Sequence, residues 1–128
     1  MSRSSTVLIV DDYADALDVW TLYLTGEGFH VLTAADGREA LARARGERPD
    51  IVILDLELPD VSGCDVARAL RAAPDTRHIP LIAATGSTEA RHLDEARGAG
   101  FDLVLSKPCD PDDLVLEIRR LTSGAMSA

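Results

Sequence analysis

Aromatic residues are scarce: one Trp, two Tyr and two Phe in 128 residues. With hydrophobic residues at 46%, the core must be built from aliphatic side chains and alanine. Cysteine is equally rare. Cys64 and Cys109 stand far apart, without a C-x-x-C pair or a Cys/His cluster. That argues against a disulfide framework and a thiolate zinc site, and two free thiols are expected, with a disulfide or metal role as the alternative. No apolar run approaches the ~18–20 residues of a membrane span. Met-Ser-Arg-Ser-Ser leads straight into a short apolar run, without the longer hydrophobic region of a signal peptide, so no membrane partner and a cytoplasmic location are expected. Positive charge is in deficit. Thirteen Lys and Arg face 22 Asp and Glu, for a net charge of −9. Such a surface repels phosphate backbones, and direct nucleic-acid binding is not expected. The chain also lacks G-x-x-x-x-G-K-[ST], and Gly26-Glu-Gly28 precedes a strand-like run instead of following one, which argues against a nucleotide loop.

What the chain does have is alternation. Five short apolar runs read as strands: Thr6–Val10, Phe29–Thr33, Ile51–Leu54, Leu81–Ala84 and Leu103–Leu105. Between and after them lie five helical stretches. Ala14–Thr25 places Leu17, Trp20 and Leu24 on one face, with Ala16, Val19 and Tyr23 beside it, and Gly26 and Gly28 end it. Asp36–Arg45 opens on a capping residue, with Glu39 in capping-box spacing. Cys64–Ala72 turns Val66, Ala67 and Leu70 inward. Thr88–Arg97 is weakly amphipathic, with Leu93 its one large apolar residue, and Gly98 and Gly100 close it. The last helix begins with Asp110 as cap and Pro111 first, and turns Leu114, Val115, Ile118 and Leu121 inward. Strict strand–helix alternation implies a parallel sheet covered on both faces, with right-handed crossovers. His30 and Thr33 suit the second strand to a sheet edge. One domain is expected over residues 1–128, with its core at about 6–121 and a flexible tail from 122 to 128.

Four of the apolar runs end in polar residues: Asp11 and Asp12, Asp55, Thr85, and Lys107. Parallel strands point the same way, so these ends share the carboxyl edge, where open α/β sheets bind ligands. Taken singly, each has an ordinary explanation: a turn or helix cap, a loop cap, a hydroxyl bonded to local backbone, a surface charge. Together they form a coherent set. Clustered carboxylates repel and call for a cation, and an all-oxygen site of few protein groups suits Mg²⁺. One carboxylate can then attack phosphorus. Lys107 neutralises phosphoryl charge and Thr85 donates its hydroxyl, because phosphoryl transfer depends mainly on positioning and charge neutralisation.

Val10-Asp-Asp12, Leu54-Asp55 with Leu58-Pro59-Asp60 and Gly63, Ala84-Thr85-Gly86, and Lys107-Pro108 follow one another in an order and spacing that resembles the receiver domain of bacterial two-component response regulators, over Thr6 to about Leu121. The resemblance implies a flavodoxin-like sheet of order 2-1-3-4-5. It implies Asp55 as phosphoacceptor, Asp11 and Asp12 with Asp55 at Mg²⁺, and the backbone carbonyl of Glu57 as a further ligand. Thr85 becomes the switch hydroxyl, Lys107 the phosphoryl-pairing lysine, and the Lys107–Pro108 bond cis. It also implies a histidine kinase or His-containing phosphotransfer protein as donor, and a downstream protein read through the fourth helix, fifth strand and fifth helix. The family's switch aromatic, three residues before the lysine, is Val104 here, and Glu57 places an acid where many receivers are neutral. With no output domain after the last helix, a stand-alone receiver is the simplest expectation. A receiver piece of a larger regulator or hybrid kinase, and a degenerate receiver serving only as a binding module, are the alternatives. A phosphohydrolase reading of Asp55-Leu-Glu57 fails for want of a second Asp and a cap insertion. The chain is expected to accept its own phosphoryl group and not to turn over external substrates.

Overall fold

The computed structural model describes residues 5–86 and 89–123. Its elements run β1 (Thr6–Val10), α1 (Ala14–Gly26), β2 (His30–Ala34), α2 (Gly37–Glu47), β3 (Ile51–Asp55), α3 (Gly63–Ala72), β4 (Leu81–Thr85), α4 (Ala90–Ala99), β5 (Leu103–Ser106) and α5 (Pro111–Ser123). All strand pairs are parallel, in the order β2-β1-β3-β4-β5. That is the implied order, with β2 at an edge and β3 central.

Strand alternation divides the core in two. Val52 and Leu54 join Leu8, Val10, Leu81 and Ala83 beneath α2, α3 and α4, with Val104 packed against them. Ile51 and Ile53 join Val7, Ile9, Ile82 and Ala84 beneath α1 and α5. Every residue of β3 is buried, as a strand covered on both faces must be. Burial of each such aliphatic side chain contributes about 1.5–3 kcal/mol.

The helices start where the sequence places capping groups. Asp36 accepts from Glu39 N (2.8 Å), and the Glu39 carboxylate reaches back to Ala35 N (2.7 Å). Asp110 accepts from Asp112 N (2.8 Å) ahead of Pro111. Boundaries move by one or two residues: β2 begins at His30, α2 continues to Glu47, α4 to Ala99 and α5 to Ser123. Thr88, the expected start of the fourth helix, and the tail beyond 123 lie outside the described residues.

One packing expectation is corrected. Val19 is 65% exposed, and so is its neighbour on the same outer face, Leu22, at 79%. Leu17, Trp20 and Leu24 form the inward stripe at i, i+3, i+7. Val19 stands about 100° round the helix from Trp20 and misses the sheet. α4 seats itself with small residues, burying Ala96 and Ala99.

A buttress unseen in the sequence ties α3 to β5. The Arg71 guanidinium donates to the carbonyls of Gly100 (2.9 and 2.8 Å), Arg77 (2.6 Å) and Ile79 (2.7 Å), and pairs with Asp102 (2.9 Å). Asp102 also accepts from Leu81 N (2.8 Å). Gly100 caps α4 with φ +108°, and a Cβ there would stand 2.8 Å from Arg71 Cγ.

Candidate functional site

At the carboxyl edge of the sheet, β1 delivers Asp11 and Asp12 and β3 delivers Asp55. Asp11 and Asp55 are buried and Asp12 is exposed. One oxygen from each of the three lies within 4.8 Å of the others. The loop after β5 brings in Lys107, whose Nζ donates to Asp11 Oδ2 and to Asp55 Oδ2, both at 3.0 Å. The second oxygen of each buried acid is held by backbone. Tyr13 N donates to Asp11 Oδ1 (2.9 Å) and Glu57 N to Asp55 Oδ1 (2.9 Å). Burial alone would lower the pKa of the Lys107 ammonium. Its hydrogen bonds to Asp11 and Asp55 outweigh that, leaving it raised and the side chain firmly cationic.

The loop that carries Asp55 off the sheet is tightly folded. Gly63 N donates to Leu56 O (2.9 Å), and Glu57 and Ser62 form an antiparallel bridge. A Cβ on Gly63 would lie 2.8 Å from Leu56 Cα and closer still to the Asp55 carbonyl oxygen. Only glycine lets α3 start this near the end of β3. Asp60, read from sequence as part of a turn, has a further task. Its carboxylate accepts from Gly37 N (2.8 Å) and Arg38 N (2.9 Å) at the start of α2. Those backbone donors, Gly37 first, hold its pKa below the ordinary carboxylate value.

Lys107–Pro108 is cis, as the resemblance implied. Lys107 N donates to Thr85 O (2.8 Å), which fastens the lysine loop to the end of β4. Thr85 is buried at that strand end, but alternation along β4 puts its side chain with Leu81 and Ala83, on the α3 and α4 side. There it lines a cleft of about 200 Å³ with Glu57, Cys64 and His92. Asp55, in step with Ile51 and Ile53, belongs to the α1 and α5 side. The sheet edge thus gathers Asp11, Asp12, Asp55 and Lys107 into one cluster and holds Thr85 beside it, across the strand ends. Glu57 is exposed next to Asp55. Val104 is half-buried in the layer that holds Thr85.

Residues 7–119 match the family model described as the response regulator receiver domain. The chain belongs to the response regulator receiver family. Its sequence is 38% identical over 113 residues to the DNA-binding response regulator MtrA of Mycolicibacterium paratuberculosis, covering 88% of this chain and 49% of MtrA. The chain therefore spans about half the length of the curated relatives it matches. A CheY-like receiver domain protein from Methanospirillum hungatei superposes with a TM-score of 0.91 at 27% identity, covering 98% of both chains. The chemotaxis response regulator CheY4 of Vibrio cholerae gives 0.86 at 32% identity, over 93% of this chain and 99% of that one. The fold is the CheY-like flavodoxin fold, and the chain is a receiver of phosphorelay signalling, a signalling module of the family whose members are phosphorylated on Asp. Among the described residues, no helix is long and apolar enough to cross a membrane.

Proposed function

We propose that Asp55 accepts a phosphoryl group from the phosphohistidine of a histidine kinase or His-containing phosphotransfer protein. The observation that carries this is the single ammonium of Lys107 bridging two buried carboxylates, Asp11 and Asp55, at 3.0 Å each, with Asp12 alongside. An Asp55 oxygen attacks phosphorus, the P–N bond to the donor imidazole breaks with its electron pair, and the imidazole leaves. Lys107 moves from Asp55 to a phosphoryl oxygen and Thr85 donates its hydroxyl to another. Glu57 N, already bonded to the acceptor carboxylate, holds it in line.

The donor set fits Mg²⁺: three carboxylates, no softer ligand and an exposed side open to water. Asp11, Asp12 and Asp55, with the Glu57 carbonyl, are the groups that would hold it. Bound there, it supplies charge neutralisation at the phosphoryl oxygens. The Glu57 side chain faces the approach of water to the acyl phosphate and so sets its lifetime. Val104 cannot report phosphorylation by swinging a ring. The signal instead passes through Thr85 and the α4 packing to the face made by α4, β5 and α5, and is read there by a protein, in another chain or in the same one. Nucleic-acid binding, which the name of MtrA records for that protein, is not proposed for this domain, whose net charge is −9.

The deciding experiment is incubation with Mg²⁺ and acetyl phosphate, followed by intact mass measurement of wild type and Asp55→Asn. One hydroxylamine-labile phosphate on wild type alone is expected. A hydroxylamine-resistant adduct, or one retained by Asp55→Asn, would refute the assignment. A pull-down in the presence and absence of beryllofluoride, with Val104 varied, tests the readout face.

A further inference from the structure

Behind the acid cluster, between α1 and the loop leading into α5, lies a cavity of about 420 Å³. Its walls are apolar: Ile9 and Ile53 from the sheet, Trp20 from α1 and Leu114 from α5. The room comes from small side chains contributed by three separate elements, Ala16 on α1, Ala84 on β4 and Cys109 after the cis bond. A large residue at any of these would fill it. Its charged groups are Asp11, Asp55 and Lys107, which pair with one another and so form one polar end. Size, apolar walls and a single polar end are the attributes of a small-molecule site, whose volumes run at roughly 300–1,000 Å³. The polar end sets the charge of the occupant. Two carboxylates against one ammonium leave an excess of one negative charge, which repels an anion. Trp20 and Tyr13 line the cavity and add aromatic surface for a flat occupant.

We propose that this cavity binds a small aromatic molecule without negative charge, stacked beside Trp20 with its polar edge toward Asp11 and Asp55. The cavity shares Asp11 and Asp55 with the proposed phosphoacceptor and Mg²⁺ cluster, so it is tested without phosphorylation and without Mg²⁺.

Two fluorescent probes share one skeleton and differ in charge: N-phenyl-1-naphthylamine, neutral, and 8-anilinonaphthalene-1-sulfonate, its sulfonated counterpart. Trp20 is the single tryptophan, so energy transfer from it reports proximity. The neutral probe is expected to bind saturably, one per chain, with quenching of Trp20, and the sulfonate at least tenfold more weakly. Cys109→Phe and Ala16→Leu, each filling the cavity from a different wall, should weaken the neutral probe at least tenfold. As a measurement on unaltered protein, the neutral probe should slow alkylation of Cys109 by iodoacetamide severalfold, read by peptide mapping. Absence of saturable binding, equal binding of the two probes, undiminished binding in folded filled variants, or no protection of Cys109 would each overturn the proposal.

Discussion

Gly63→Ala probes how closely the loop after Asp55 is packed. The added methyl would sit 2.8 Å from Leu56 Cα, against an ordinary contact of at least 3.4 Å, and nearer still to the Asp55 carbonyl oxygen. Both neighbours are backbone, so no side chain can rotate away. The loop must retreat by more than half an ångström, which stretches the 2.9 Å bond from Gly63 N to Leu56 O towards the limit of hydrogen bonding. Overpacking of this kind costs about 1–3 kcal/mol, and the weakened bond about 1 kcal/mol more. Alanine's better helix propensity offsets about 1 kcal/mol of that. A net loss of about 1–3 kcal/mol is expected in urea denaturation. Because the strained segment carries Asp55 and Glu57, labelling by acetyl phosphate should fall roughly ten- to a hundredfold, the scale of a misplacement near 1 Å. Gly46→Ala is the control. It lies inside α2 with nothing within 4 Å of a Cβ, and should gain about 0.5–1 kcal/mol. A Gly63→Ala protein as stable as wild type and labelled at the same rate would refute the close-approach reasoning.

Three further outcomes follow from other contacts. Arg71→Ala strips partners from the carbonyls of Gly100, Arg77 and Ile79 and should cost about 2–4 kcal/mol; Arg71→Lys should not restore it, since an ammonium cannot span the fork, and urea midpoints with unchanged slopes check both. Mg²⁺ at a hundred times its dissociation constant should stabilise the wild type by about 2.7 kcal/mol, and Asp12→Ala, at an exposed position, should lose most of that gain while leaving metal-free stability nearly unchanged in the same thermal melts. The Tyr23 hydroxyl donates to Asp112, and that bond first, then burial, raises its pKa to about 12. A raised folded pKa means a stabilising contribution complete below pH 10 and lost as pH climbs towards 12. Ultraviolet titration of Asp112→Ala should move the Tyr23 transition down towards 10, and an unmoved transition would remove Asp112 as the cause.

The sheet order and the gathering of Asp11, Asp55 and Lys107 at one edge were legible because each depends on local pattern. An apolar run ending abruptly in Asp11, Asp55 or Lys107 marks a strand and its exposed end at once, and parallel topology brings those ends together. Asp36 and Asp110 act within three residues of themselves, and capping spacing revealed them. What escaped depends on three-dimensional neighbours. Asp60 serves a helix start 23 residues away, and Arg71 reaches across 29 residues to Gly100. Neither partner is marked in the sequence. Val19 was misplaced because helical period alone leaves the width of the inward stripe undefined. Thr85 was grouped with Asp55 by edge, and the alternation that sends their side chains to opposite layers became visible only with the strand register. The cavity arises from Ala16, Ala84 and Cys109, three small residues with no common spacing.

The two-layered core has an evolutionary consequence. Residues of β3 alternate between the layer of α1 and α5, where Asp55 meets Lys107, and the layer of α2, α3 and α4, where Thr85 and Val104 sit. Few side chains belong to both. Substitutions can therefore accumulate in one layer without repacking the other, and lineages can diversify what the acceptor side meets and what the α4 side presents as separate traits. Val104 packs in the α4 layer, so a substitution there leaves the acid cluster across the strand ends untouched.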